Sequence, residues 1–204
     1  MIGSSATLMV ANPGVKASNA AEIVALAKAT PDKVSYASAG NGTAPHFAAE
    51  MFKLATGAPL LHIPYKGTAP ALNDTLGGQT QVMFPSLFTS VPYVKSGKLK
   101  AIGVAGSKRS ALLPDVPTLK EQGIENVDVS QWYAVFAPAR TPKATVEQLN
   151  TTLNEVLADP AVIKRLEEHG LEVTKMSPEQ LRTYVQEEQV KWKKVVQAAK
   201  LTAD

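Results

Sequence analysis

The chain has 204 residues, 45% of them hydrophobic and 19% charged, with 21 basic against 18 acidic side chains and no cysteine. That is enough chain for one large domain or two small ones with a full core. The composition excludes disulfides, thiolate metal sites and cysteine nucleophiles, no run reaches the ~18 apolar residues of a membrane span, and the scattered charges, net +3, make no basic stripe for nucleic acid.

Strand-like and helix-like segments alternate from the start. Ala6–Ala11 reads as a strand, and Ser18 or Asn19 caps a helix running to Ala29 with Ile23, Val24, Leu26 and Ala27 on one face. A strand at 34–37, a helix at 44–56, a strand at 60–63, a helix at 69–76 ended by Gly77-Gly78 and a strand at 81–84 follow. The spacing then predicts a helix over 87–96 interrupted by Pro92 and a buried strand over 99–105. Beyond Lys108 come a proline-bracketed turn (Leu113 to Pro117), a short helix over 119–122, an aromatic strand over 132–137, and helices over 143–157, 161–169 and 178–199. Ser177-Pro178-Glu179-Gln180 is a capping-box start for the last of these. Its apolar stripe (Leu181, Tyr184, Val185, Trp192, Val195, Val196), like that of 143–157, needs a cover. Lys191, Lys193 and Lys194 sit beside Glu187 and Glu188 and read as a solvated helix face. The alternation implies an α/β fold with a largely parallel sheet covered on both faces. In such sheets ligands gather beyond the carboxyl ends of the strands.

The loop at one such end, Ser38-Ala39-Gly40-Asn41-Gly42-Thr43, runs straight into the helix at 44–56. Unpaired N–H groups in a helix's first turn and the helix dipole favour an anion there. A dinucleotide fingerprint begun at Gly40 would need glycine at 45, where Pro45 stands, and no Gly-Lys-Ser/Thr follows. A nucleophile elbow on Ser38 would need glycine at 36, where Tyr36 stands. Two readings remain: a cradle for a carboxylate, sulfate or phosphate, or an ordinary strand-to-helix turn capped by Thr43.

Several motifs in one register carry a resemblance. Ser38-Ala39-Gly40-Asn41-Gly42-Thr43-x-x-His46, Ile63-Pro64-Tyr65-Lys66-Gly67-x-x-Pro70-Ala71-Leu72-x-Asp74-x-Leu76-Gly77-Gly78-Gln79, Gly97-Lys98-Leu99-Lys100-Ala101, Lys108-Arg109-Ser110 and Leu113-Pro114-Asp115-Val116-Pro117-Thr118 resemble the extracytoplasmic solute-binding proteins of tripartite tricarboxylate transporters, the Bug proteins. The resemblance runs from about Leu8 to Lys200. It implies a type II periplasmic-binding-protein-like fold of two lobes closing on a small carboxylate, a periplasmic location, membrane permease subunits as partners, and no catalysis. It divides the chain into a complete second lobe, residues 6–130, and the carboxyl-terminal part of the first, residues 131–204. By the same resemblance Ser38, Ala39, Gly40, Asn41, Gly42, Thr43 and His46 form one wall of the cleft and hold the carboxylate through backbone amides, hydroxyls and water. The facing wall comes from a glycine-rich segment that this sequence does not contain. Pro85 departs from the polar or acidic residue common in the family and favours a ligand without an ammonium group.

One wall is expected to bind weakly, since a few charge-assisted bonds at ~1.5–3 kcal/mol each, less immobilisation, fall short of the ~8 kcal/mol of micromolar affinity. The uncovered stripes imply self-association through the incomplete first lobe. Tyr65 and Lys66 follow the third strand at the same rim; Lys66 is either a charge for the anion or a surface lysine beside a turn glycine. Ser86, at another strand end, is a second-tier contact. His62 reads as a histidine inside an apolar strand, and three histidines this dispersed suggest no metal site. No cofactor motif is present. Two rivals stand beside the binding protein: a serine hydrolase using Ser38 with His46, for which no acid is spaced to orient the histidine, and a cytoplasmic sensor lobe of the same fold.

Overall fold

A computed structural model describes residues 1–198. Strand β1 (Gly3–Ala11) is followed by α1 (Ala20–Ala29), β2 (Ser35–Ser38), α2 (Ala44–Thr56), β3 (Leu61–Pro64), α3 (Thr68–Leu76), β4 (Val82–Met83), α4 (Leu87–Lys95) and β5 (Lys100–Ala105). Then come β6 (Ser130–Tyr133), α5 (Lys143–Val156), α6 (Pro160–Glu168), β7 (Glu172–Val173) and α7 (Pro178–Ala198).

The sheet is ordered β3-β2-β4-β1-β5. β2 runs parallel to both β3 and β4, while β1 is antiparallel to β4 and β5, so within this order β1 alone runs against the rest. β1 is long because it serves two pairings: Met9 to Ala11 lie among β4 and β5, and Gly3 to Ala6 lie against β6, with β7 on Gly3 and Ser4. The sequence reading began this strand at Ala6; the polar Ser4 and Ser5 hid its first turn of pairing.

Each face of the sheet carries its own core. On one, Ile23 and Ala27 of α1 and Ala48, Ala49 and Phe52 of α2 pack on Met9, Tyr36 and Val82. On the other, Ala71 and Leu72 of α3 and Leu87 and Val91 of α4 pack on Leu8, Val10, Ala37 and Met83. Short strands with period-two alternation inside this sandwich explain why both residue parities are apolar.

Local chemistry sets the helix ends. Asn19 caps α1 by accepting from the Glu22 amide, and α2 stops at Gly57 in the left-handed region, φ 64. Pro92 does not interrupt α4, which runs through it from Leu87 to Lys95. The helix expected at 119–122 is a pair of turns, Gln122 bonding to Thr118 and Leu119. The aromatic strand lies earlier than expected and ends at Tyr133, and β7 was not anticipated. Residue 199, the expected end of the last helix, lies outside the described residues. Among the described residues no helix is long and apolar enough to cross a membrane.

Candidate functional site

The parallel strands β2, β3 and β4 end at one rim, and the three sequence-predicted segments meet there. The β2–α2 loop and the segment after β3 are zipped together: Tyr65 donates its amide to the Ser38 carbonyl at 3.0 Å and Gly67 donates to Ala39 at 3.1 Å. Lys66 lies between those two bonds and is exposed. Gly40 closes the junction. It has φ 121, and a Cβ on it would stand 3.2 Å from the Tyr65 carbonyl oxygen, so only glycine fits without strain. Ser86, beyond β4, caps α4 and is 1% exposed, its hydroxyl also bonded to Thr89.

The interior of the loop differs from the expectation. The amides of Gly40 to Thr43 do not all converge on an open point: Gly40 donates to Ser38 Oγ at 3.2 Å, Gly42 to His46 Nδ1 at 3.1 Å, and Thr43 to the Gly40 carbonyl at 3.4 Å. Three of the four amides are therefore spent on the chain's own acceptors, so the loop is not the open ring of amides that the sequence suggests. Thr43 occupies the N-cap position, but its hydroxyl turns back to the Gly40 carbonyl at 2.7 Å and makes no capping bond. The first turn of α2 thus has no side-chain cap, and Pro45 brings no N–H to it.

Ser38 and His46 are also placed differently from a pair of exposed contacts. Ser38 is 0% exposed and His46 5%. Ser38 Oγ lies 2.6 Å from His62 Nε2, and it is His62, not His46, that partners the serine. His62 is sandwiched between His46, with centroids 4.3 Å apart and planes 9° from parallel, and Tyr36, at 4.7 Å and 9°. This column was missed in the sequence because His62 reads as a strand residue. The signal that finds it is the β2–β3 register, which sets Tyr36 beside His62.

Behind the column the charges are closed off. Tyr36 Oη donates to Glu50 Oε1 at 2.6 Å, and Lys53 binds the same oxygen at 2.7 Å. Burial, then the bond to Glu50, pushes the Tyr36 hydroxyl far up, so it stays a neutral donor. At the rim Tyr65 Oη donates to Asp74 at 2.7 Å, and burial followed by that bond pushes it up to about 12. No group of three or more metal-ligating side chains is found among the described residues. Asn41 and Gly42 are exposed, and Ala39, Gly40 and Thr43 half-buried, which leaves residues 39–43 as the loop's outer surface. Two cavities, of 560 and 410 Å³, lie elsewhere: one along the start of α7 and the residues just before it, from Lys175 to Glu187, the other around Asn12, Lys16, Lys33 and Gln81.

Comparison with known proteins places this geometry. Residues 1–201 match the tripartite tricarboxylate transporter family receptor. Protein BugT of Bordetella pertussis is 34% identical over 196 residues, covering 96% of this chain and 60% of BugT. A UPF0065 protein of Pseudomonas sp. strain P51 is 33% identical over 184 residues, 90% of this chain and 55% of that protein. The chain thus spans little more than half the length of these relatives. Among solved structures, an R. palustris protein with adipate superposes with a TM-score of 0.95 at 29% identity over 98% of this chain and 67% of its own. The periplasmic binding protein BugD gives 0.93 at 35% over 100% and 69%, and MatC of Rhodopseudomonas palustris with bound malate 0.88 at 29% over 95% and 67%. The fold is that of periplasmic binding proteins, and the chain belongs to the tripartite tricarboxylate transporter receptor family.

Proposed function

We propose that the chain is the ligand-binding part of a non-enzymatic, periplasmic solute-binding protein that captures a small carboxylate for the permease subunits of a tripartite tricarboxylate-type transporter. The observation that carries this reading is the rim of three parallel strand ends, built on a family fold whose solved members include one with adipate and one with malate. We assign residues 6–130 to one lobe and 131–204 to part of the other.

We assign the site residues by their exposure. Ala39, Gly40, Asn41, Gly42 and Thr43 face the ligand; Ser38 and His46 support them from beneath. Tyr65 and Lys66 flank the loop, Lys66 contributing charge, and Ser86 supports the third strand end. Because three loop amides are satisfied internally and the Thr43 hydroxyl donates to the Gly40 carbonyl, recognition rests on the uncapped end of α2 and Lys66 rather than on a full ring of amides. That lowers the affinity expected from this wall alone.

A hydrolase centred on Ser38 has one observation in its favour, the short contact to His62. Against it, the hydroxyl is sealed from solvent, and the buried carboxylate nearest the column, Glu50, is engaged by Tyr36 and Lys53. Calorimetric titration with malate, adipate and citrate separates the readings: saturable binding with no turnover of an activated ester supports the binding protein, and ester turnover lost on Ser38→Ala refutes it.

A further inference from the structure

The loop 38–43 is gripped at both ends by the two stacked imidazoles. At its start Ser38 Oγ meets His62 Nε2 at 2.6 Å; near its end Gly42 donates its amide to His46 Nδ1 at 3.1 Å; and the rings lie face to face at 4.3 Å. We infer that His46 and His62 are a coupled pair of positioning residues that hold the carboxylate-binding loop in shape while both are neutral, and that protonation of His46 releases Gly42 and opens the loop.

The chemistry follows from the proton positions. A backbone N–H always donates, so His46 Nδ1 must carry a lone pair, which makes His46 a neutral ring protonated on Nε2. Adding a proton at Nδ1 sets two donors against each other across 3.1 Å, and the Gly42 bond must break. His62 is more tolerant. When its Nε2 donates, Ser38 Oγ accepts and its hydroxyl donates a hydrogen bond to the Gly40 carbonyl, 3.3 Å away. Two parallel imidazolium rings at 4.3 Å repel, so the stack takes one charge more readily than two.

Several charged and titratable groups on the neighbouring elements have partners of their own. On β2, Tyr36 is a neutral hydroxyl committed to Glu50. On α2, Glu50 is paired with Lys53. On α7, which packs against Phe47 through Trp192, Glu188 is paired with Lys191. Beyond β3, Asp74 takes the Tyr65 hydroxyl, and Lys66 stands exposed at the rim.

The inference deepens the carboxylate reading and rests on it for its meaning, but its first test holds no ligand. Imidazole nitrogen resonances of the labelled chain are followed from about pH 8 to 5 together with hydrogen-exchange protection of the Gly42 amide. The expected result is an Nε2–H tautomer for His46 at high pH and loss of Gly42 protection in the same step in which His46 titrates. His46→Gln, which keeps an acceptor that cannot titrate, removes the pH step and retains protection; His46→Phe, which keeps the stack without the acceptor, loses protection at every pH. An Nδ1–H tautomer, a His46 that stays neutral throughout, or protection that ignores its titration overturns the inference.

The second arm measures malate and adipate affinity between about pH 8 and 6, where carboxylates stay ionised. One linked proton raises the apparent Kd about tenfold per pH unit below the transition, and His46→Gln flattens that slope. A slope unchanged in His46→Gln also overturns the inference. If neither acid binds while the ligand-free step is present, the carboxylate reading fails and the imidazole pair stands.

Discussion

Phe47 and Trp192 stack with ring centroids 4.9 Å apart, so the helix that follows the rim loop is anchored to the last helix of the chain. The indole Nε1 donates to Glu188 at 2.8 Å, and the Lys191 ammonium stands 4.8 Å from the ring centroid. Trp192→Ala removes a half-buried aromatic contact and is expected to cost about 2 kcal/mol in urea unfolding, with Trp192→Phe costing less because the stack survives. Equal losses for the two variants would show that the stack is not what holds α7.

Gly40 and Gly42 share a loop and a positive φ but differ in room. A Cβ at Gly40 meets the Tyr65 carbonyl oxygen at 3.2 Å with φ 121, whereas at Gly42, φ 74, it meets nothing within 4 Å. Gly40→Ala is expected to cost about 2–3 kcal/mol and to unzip the loop from Tyr65, Gly42→Ala only about 1 kcal/mol. Thermal or urea unfolding of the pair ranks them; a costlier Gly42 variant would contradict the geometry.

Alkaline stability should report Tyr36. Its folded-state value is raised above the ordinary 10.0, first by burial and then by the bond to Glu50, so its contribution is complete below pH 10 and is lost as pH climbs above that. Tyr36→Phe is expected to cost about 1–3 kcal/mol at neutral pH by removing a buried bond and to flatten the fall in stability above pH 10. Some slope remains because Tyr65 and Tyr184 are raised as well. An unchanged alkaline slope would assign the loss to other groups.

Helices α5 and α6 bury no residue fully, and Val135, Phe136, Leu149, Val156 and Val190 are exposed, Phe136 at 64%. Exposed apolar side chains of this number favour burial against a partner, and the chain by itself is expected to self-associate with rising concentration in light scattering. A monomer unchanged across concentrations would refute that expectation.

Much of this architecture was legible in the sequence because each local signal agreed with the global fold. Asn19 and the Ser177 box mark helix ends that the structure reproduces. The rim was legible too, since Ser38, Tyr65 and Ser86 each follow a strand. What could not be read was the inside of the loop. Whether Gly40, Gly42 and Thr43 turn their amides outward or inward depends on where Ser38 Oγ, His46 Nδ1 and the Gly40 carbonyl come to rest, which no spacing encodes. The pairing of Ser38 with His62 depends on strand register across 24 residues, and a histidine flanked by leucine and isoleucine carries no mark of it. Pro92 reads as a helix breaker in the sequence, yet α4 runs straight through it.

A small carboxylate is expected to settle on the outer face of residues 39–43. Amide resonances of the labelled chain, followed during titration with malate and adipate to millimolar concentration, test it most directly. The expected result is saturable shifts confined to residues 39–46 and 65–67, lost on Lys66→Ala or displaced by excess of the other acid. Shifts centred instead on the cavity around Lys16 and Lys33, or none at all, would contradict it.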